Sequence, residues 1–124
     1  MSNDSVVFQD FKRAVERLNE VLVMEKTSVV RDSAIKRFEF CFDLAWKTIK
    51  NYAKVQGLEC NSPREAIKTA FTLKLIAYDE KWLSMIDDRN STVHMYKEEY
   101  ANVVYARLPE YLKLFKDLIK SFPQ

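Results

Sequence analysis

One glycine and three prolines occur in 124 residues. That is too few for the tight turns that repeated β-hairpins require, and an all-β fold is excluded on that ground. The same scarcity excludes phosphate-cradling loops of the P-loop or dinucleotide type, in which several glycines let backbone approach the phosphates. One histidine and two cysteines cannot supply the three or four ligands of a zinc or iron site. Neither a metal nor a cofactor is expected. Cys41 and Cys60 fall in no CxxC pair, and Cys41 stands among Phe40, Phe42 and Leu44 as a small core residue would, so both are expected reduced and structural. No run approaches the roughly 20 apolar residues of a membrane span, and Met1-Ser2-Asn3-Asp4-Ser5 has neither a basic nor an apolar leader region. The expectation is a soluble, cytoplasmic protein without membrane contact. With 20 basic and 18 acidic side chains the net charge is only +2, so no broad electrostatic footprint for nucleic acid exists and any RNA contact must be local.

What the chain does have is apolar and aromatic mass: 48% hydrophobic residues, with eight Phe, six Tyr and two Trp. This suits one densely packed domain covering 1–124, since the length is too short for two ordinary domains. Phe11, Val15, Leu18 and Leu22 recur three and four apart, which predicts a first amphipathic helix over about 5–26. Ile35, Phe38, Phe42, Ala45, Ile49 and Tyr52 predict a longer one over about 30–56, with Gly57 as a left-handed C-terminal cap. Ser62-Pro63-Arg64-Glu65 combines an N-cap, a first-turn proline and a capping-box acid, and starts a third helix ending near 74. Asp79 caps a fourth, holding Trp82, Met85 and Ile86, which is expected to run straight into segment 89–96. The last stripe, Val104, Leu108, Tyr111, Phe115, Leu118 and Phe122, contains Pro109, which should kink or divide its helix. Together these predict an all-α, up-and-down bundle of four to five helices. So aromatic a bundle should keep an exposed apolar face and form an isologous homodimer, with Trp46, Trp82 and the aromatics of the last helix as candidates for that face. Lys47, Lys50 and Lys54 form a stripe that a solvated helix face explains.

The chemically pointed run is Arg89-Asn90-Ser91-Thr92-Val93-His94-Met95-Tyr96. Arginine offers a permanently charged fork for phosphate, and histidine lends or takes a proton near neutral pH, so the two suit phosphodiester chemistry without a metal. On a continuous helix Asn90 and His94 share a face, as do Arg89 and Tyr96. His94 then lies roughly 140° round from Arg89, and bringing Arg89 to His94 requires a break in the helix or long side-chain reach. Spacing alone leaves a plainer alternative open: Arg89 pairs with Asp87, Asp88 or Glu98, and His94 is a satisfied structural histidine.

The segment Arg37-Phe38-Glu39-Phe40-Cys41-Phe42-Asp43-Leu44-Ala45-Trp46-Lys47, then Ser62-Pro63-Arg64, then residues 82–96, resembles the nucleotidyltransferase substrate-binding family within the HEPN superfamily. The most specific part is Arg89-Asn90-x3-His94-x-Tyr96, which fits the Arg-x4-His-x-Tyr form of HEPN toxins. The resemblance implies a helical-bundle homodimer whose partner is a minimal nucleotidyltransferase. It also implies two alternative activities. In one, the chain is an RNase toxin, with Arg89 and His94 catalytic and Tyr96 the site where the partner adds AMP. In the other, it is a non-catalytic subunit that presents nucleotide or another substrate to the partner, with Tyr96 and Asn90 at the binding site.

Overall fold

The computed structural model describes residues 3–123. Five α-helices and one 3₁₀ turn occur among them, with no strand: α1 (Asn3–Leu22), α2 (Ser28–Val55), α3 (Pro63–Thr72), α4 (Lys81–Asn90), the turn Thr92–His94, and α5 (Glu98–Ser121). The expected all-α bundle is the observed one. No helix among the described residues is long and apolar enough to cross a membrane.

The helix ends follow local chemistry. Thr27 caps α2 by accepting from the Val30 amide at 3.0 Å, and Ser62 caps α3 by accepting from Glu65 at 3.2 Å. The capping box is shifted by one residue, because the Glu65 carboxylate accepts from the Asn61 amide at 2.7 Å rather than from the cap residue itself. Asp79, the expected cap of α4, lies one residue ahead of the cap position, which Glu80 occupies without a side-chain cap bond, but its carboxylate still accepts from the Lys81 amide at 2.9 Å. Gly57, at φ 83°, closes α2, with the Leu58 amide donating to the Ala53 carbonyl at 2.8 Å. The same closure ends α3, where Leu75 donates to Ala70 at 2.9 Å, but there Lys74 occupies the left-handed position at φ 61°.

α2 is the central helix and packs against each of the other four. Its buried face, including Ala34, Ile35, Phe38, Phe42, Ala45 and Ile49, meets the Phe11, Val15 and Leu18 stripe of α1 and the Val104, Leu108 and Phe115 stripe of α5. Phe115 lies at the middle of the aromatic core, edge-on to Phe11 at 6.1 Å and to Trp82 at 5.9 Å. Cys41 and Cys60 are both buried and unpaired, and burial pushes the Cys41 thiol up to about 12.

One expectation changes and two take a definite form. Trp82 is 1% exposed, so it belongs to the core and cannot form a dimer face; Tyr111 and Phe115 are buried too. Of the two outcomes expected at Pro109, division does not occur: α5 continues through it as one helix, with that proline on the exposed side. Helix four does run into segment 89–96, as expected, and ends within it at Asn90. A further feature carried no sequence signal. Arg31, buried in α2, forks onto Glu98 at 2.9 and 3.1 Å and also reaches Asn102 at 3.3 Å, tying the first turns of α5 to α2.

Candidate functional site

Arg89 is in the last turn of α4, where the helix gives way to the 3₁₀ turn that carries His94. The break occurs at Ser91, whose amide donates back to the Asp87 carbonyl at 3.0 Å, and the His94 amide donates to Ser91 at 2.9 Å. Thr92 locks this junction from both directions. Its hydroxyl donates to the Arg89 carbonyl at 3.0 Å and accepts from Arg89 Nη1 at 3.2 Å. A helix break, one of the two conditions for bringing Arg89 and His94 together, is therefore present, and Asn90 and His94 no longer share a helical face.

The guanidinium is held from across the bundle. Nε and Nη2 donate to the two carboxylate oxygens of Asp43 on α2, each at 3.0 Å, in a parallel fork. Nη1 also lies 3.1 Å from Glu39 Oε1. The expected partners of Arg89 were Asp87, Asp88 or Glu98, and none of them is used. Asp88 is turned inward to Arg107 and Tyr111, while Glu98 is taken by Arg31. The hydrogen bonds from Arg89 to Asp43 make the guanidinium still harder to deprotonate. With Nε and Nη2 on Asp43 and Nη1 facing Glu39 and Thr92, at most one of its five N–H groups is left for a ligand. Lys36 approaches Glu39 at 3.8 Å, so two cations and two carboxylates balance on this face of α2.

His94 and Asn90 are exposed, and Tyr96 is 78% exposed. No side-chain hydrogen bond joins His94 or Tyr96 to another of the described residues, so both rings face solvent, open to a ligand or a partner. The structure thus gathers Arg89, Glu39, Asp43 and Thr92 into one fixed cluster and suspends His94 and Tyr96 beside it in segment 91–97. That segment is anchored at one end by Arg89 and at the other by the fork from Arg31 to Glu98. Among the described residues no group of three or more His, Cys, Asp or Glu could hold a metal ion. Sequence reasoning missed Glu39, Asp43 and Arg31. The available signal for the first two was their spacing of four within the otherwise apolar and aromatic run from Phe38 to Leu44.

Residues 6–124 match the family described as nucleotidyltransferase substrate binding protein like. A protein of Haemophilus influenzae named probable ribonuclease HepT is 30% identical over 94 residues, which are 68% of this chain and 64% of that protein. The match therefore spans less than two thirds of that relative. A crystal structure of a Thermus thermophilus protein superposes with a TM-score of 0.83 at 36% identity, covering 89% of this chain and 96% of the other. A second structure, from Haemophilus influenzae and described as revealing the fold of a substrate binding domain of a nucleotidyltransferase, superposes with a TM-score of 0.70. At 23% identity, over 95% of both chains, it shares the fold.

Proposed function

Since this chain belongs to the nucleotidyltransferase substrate-binding family, we propose that it is the helical partner of a minimal nucleotidyltransferase, and that it cleaves RNA through Arg89 and His94. In this account it is a cytoplasmic, single-domain toxin component, and the partner silences it by adding AMP to Tyr96. The observation that carries the proposal is the junction after α4, where a rigidly held arginine adjoins a turn presenting a histidine and a tyrosine to solvent.

RNA cleavage by its own 2′-hydroxyl needs a base to take that proton, an acid to protonate the departing 5′-oxygen, and positive charge beside the phosphorane-like transition state. One chain has one histidine. A homodimer with its two-fold axis near segment 89–96 supplies two, one imidazole as base and one imidazolium as acid, while the two copies of Arg89 supply the charge. No ion is needed for that proton traffic. The exposure of the Tyr96 ring supports this reading. Transfer of AMP from ATP to its phenol oxygen would release pyrophosphate and leave a bulky anion beside the site.

A second reading is favoured by the Arg89 clamp itself. A guanidinium facing two carboxylates is a weak trap for phosphate, which suits a subunit that binds nucleotide or another substrate through Tyr96 and Asn90 and leaves the chemistry to the nucleotidyltransferase. One experiment separates the two. Wild type, Arg89→Ala and His94→Ala, matched for helicity and dimer mass, are incubated in EDTA with varied RNAs. The ribonuclease predicts cleavage by wild type and a loss of about 10²-fold or more in each variant. Cleavage that survives both substitutions refutes it, and an inert wild type transfers the role to substrate presentation. Intact mass after incubation with the partner and ATP should show one AMP on Tyr96.

A further inference from the structure

The exposed face of α2 carries a basic stripe that leads away from the Arg89 clamp. Lys36, Phe40, Asp43, Lys47, Lys50 and Lys54 recur four and three apart, and all of them are exposed except Asp43, which is half-buried. Asp43 is the residue on which Arg89 forks, and Lys47 follows it by one turn. From Asp43 to Lys54 the stripe covers eleven residues, about 16 Å of helix. Between Asp43 and Glu59 the sequence has no acidic residue, so these lysines have no acid within their own stretch of helix.

Aromatic rings are interleaved with this charge. The Lys36 ammonium lies 5.6 Å from the centre of the Phe40 ring, and the Lys50 ammonium lies 5.7 Å from that of Trp46. Phe40 is 51% exposed. Beside it, Arg13 and Arg17 of α1 and Arg37 of α2 border a hollow of about 220 Å³. A separate groove of about 400 Å³ on a neighbouring side of α2 is lined by Lys12, Asn51 and the rings of Phe8 and Tyr52, and none of the stripe lysines borders it. Lysines at one-turn spacing beside one exposed ring, Phe40, and one half-buried ring, Trp46, suit single-stranded nucleic acid, with ammoniums on phosphates and rings under unstacked bases. A duplex keeps its bases stacked inside and would leave those rings unused.

We propose that the α2 stripe is a track for single-stranded RNA, which binds its backbone along Lys47, Lys50 and Lys54 and delivers it to Arg89. The proposal rests on RNA being the substrate, yet the track can be read without any cleavage. Neutralising three phosphate contacts should lower the dependence of log affinity on log salt by about 2, which corresponds to about 100-fold weaker binding at 0.1 M salt, with the curves converging near 1 M.

The test uses the full chain carrying His94→Ala, so that the probe stays intact, and follows a fluorescent, unstructured RNA oligonucleotide by anisotropy across a salt series. Lys47→Gln, Lys50→Gln and Lys54→Gln are added together. Lys113→Gln, Lys116→Gln and Lys120→Gln on α5 remove the same charge elsewhere and serve as the control. The track predicts loss of affinity and slope in the α2 variant only, and stronger competition by single strands than by a duplex of equal length. Equal losses in both variants, unchanged binding in the α2 variant, or no RNA binding at low salt each overturn it. It is also overturned if the α2 variant loses only the nucleotidyltransferase, since the stripe would then be a protein interface. If the α2 variant loses RNA binding while wild type never cleaves RNA, the ribonuclease fails and the track stands.

Discussion

Replacing Asp88 by alanine removes the acceptor that joins the last turn of α4 to α5. The carboxylate, 3% exposed, accepts from the Tyr111 hydroxyl at 2.6 Å and from Arg107 Nη1 at 2.8 Å. The two bonds are unequal in weight. Arg107 is 47% exposed and regains water when released, so its pair contributes no more than about 1 kcal/mol. Tyr111 is buried, and its hydroxyl would be orphaned inside the bundle. A hydrogen bond to a charged group contributes about 1.5–3 kcal/mol, and an unsatisfied buried hydroxyl carries a desolvation penalty of similar size. Asp88→Ala should therefore cost about 3 kcal/mol, which lowers the melting temperature by about 10 °C in a chain of this length. Tyr111→Phe leaves Arg107 on the carboxylate and should cost about 1.5 kcal/mol. The double variant has no orphaned hydroxyl, so its loss should fall short of the sum by about 1.5 kcal/mol. Urea unfolding followed by far-ultraviolet circular dichroism measures all four proteins. Additivity within about 0.5 kcal/mol would refute the coupling between the two residues.

Tyr111 also makes stability pH-dependent at the alkaline end. Burial first, then the bond to Asp88, raises its phenol above the ordinary value of 10.0, so the native state keeps a proton that the unfolded chain releases. This contribution is complete below about pH 10 and is lost as pH rises beyond it, and Tyr111→Phe should flatten that decline in urea midpoints. At the acid end, Arg31 holds Glu98 below the usual carboxylate range. Its contribution is present above about pH 4.3 and disappears as pH falls through the lower native value, so acid unfolding of Glu98→Gln should lack that component. Lys74→Gly should raise stability by about 1 kcal/mol, because a left-handed backbone strains a β-carbon that glycine does not have; an unchanged urea midpoint would contradict this strain.

The sequence by itself determined the helices and most of their ends, because periodicity and capping act within a few residues. The stripes of α1, α2 and α5, the Ser62 cap, the Asp79 start and the Gly57 stop are all local, and each occurs where its own chemistry demands. Residues 89–96 could likewise be singled out, since a motif is a matter of adjacent positions. What only the tertiary structure decided is the partner of each charge. Arg89 had three acids close by in sequence, yet it forks onto Asp43, 46 residues away, because packing α4 against α2 brings that carboxylate to it. Asp88, one position earlier, faces the opposite way into α5, so adjacent residues are committed to different helices. The fate of the aromatics was decided in the same way. Trp82 and Phe40 are both large apolar side chains on helices, but one fills the centre where Phe115 meets it and the other remains on the face that no helix covers. Local sequence sets which side of a helix is apolar, whereas burial depends on whether another helix arrives there, and that is settled only when all five pack together.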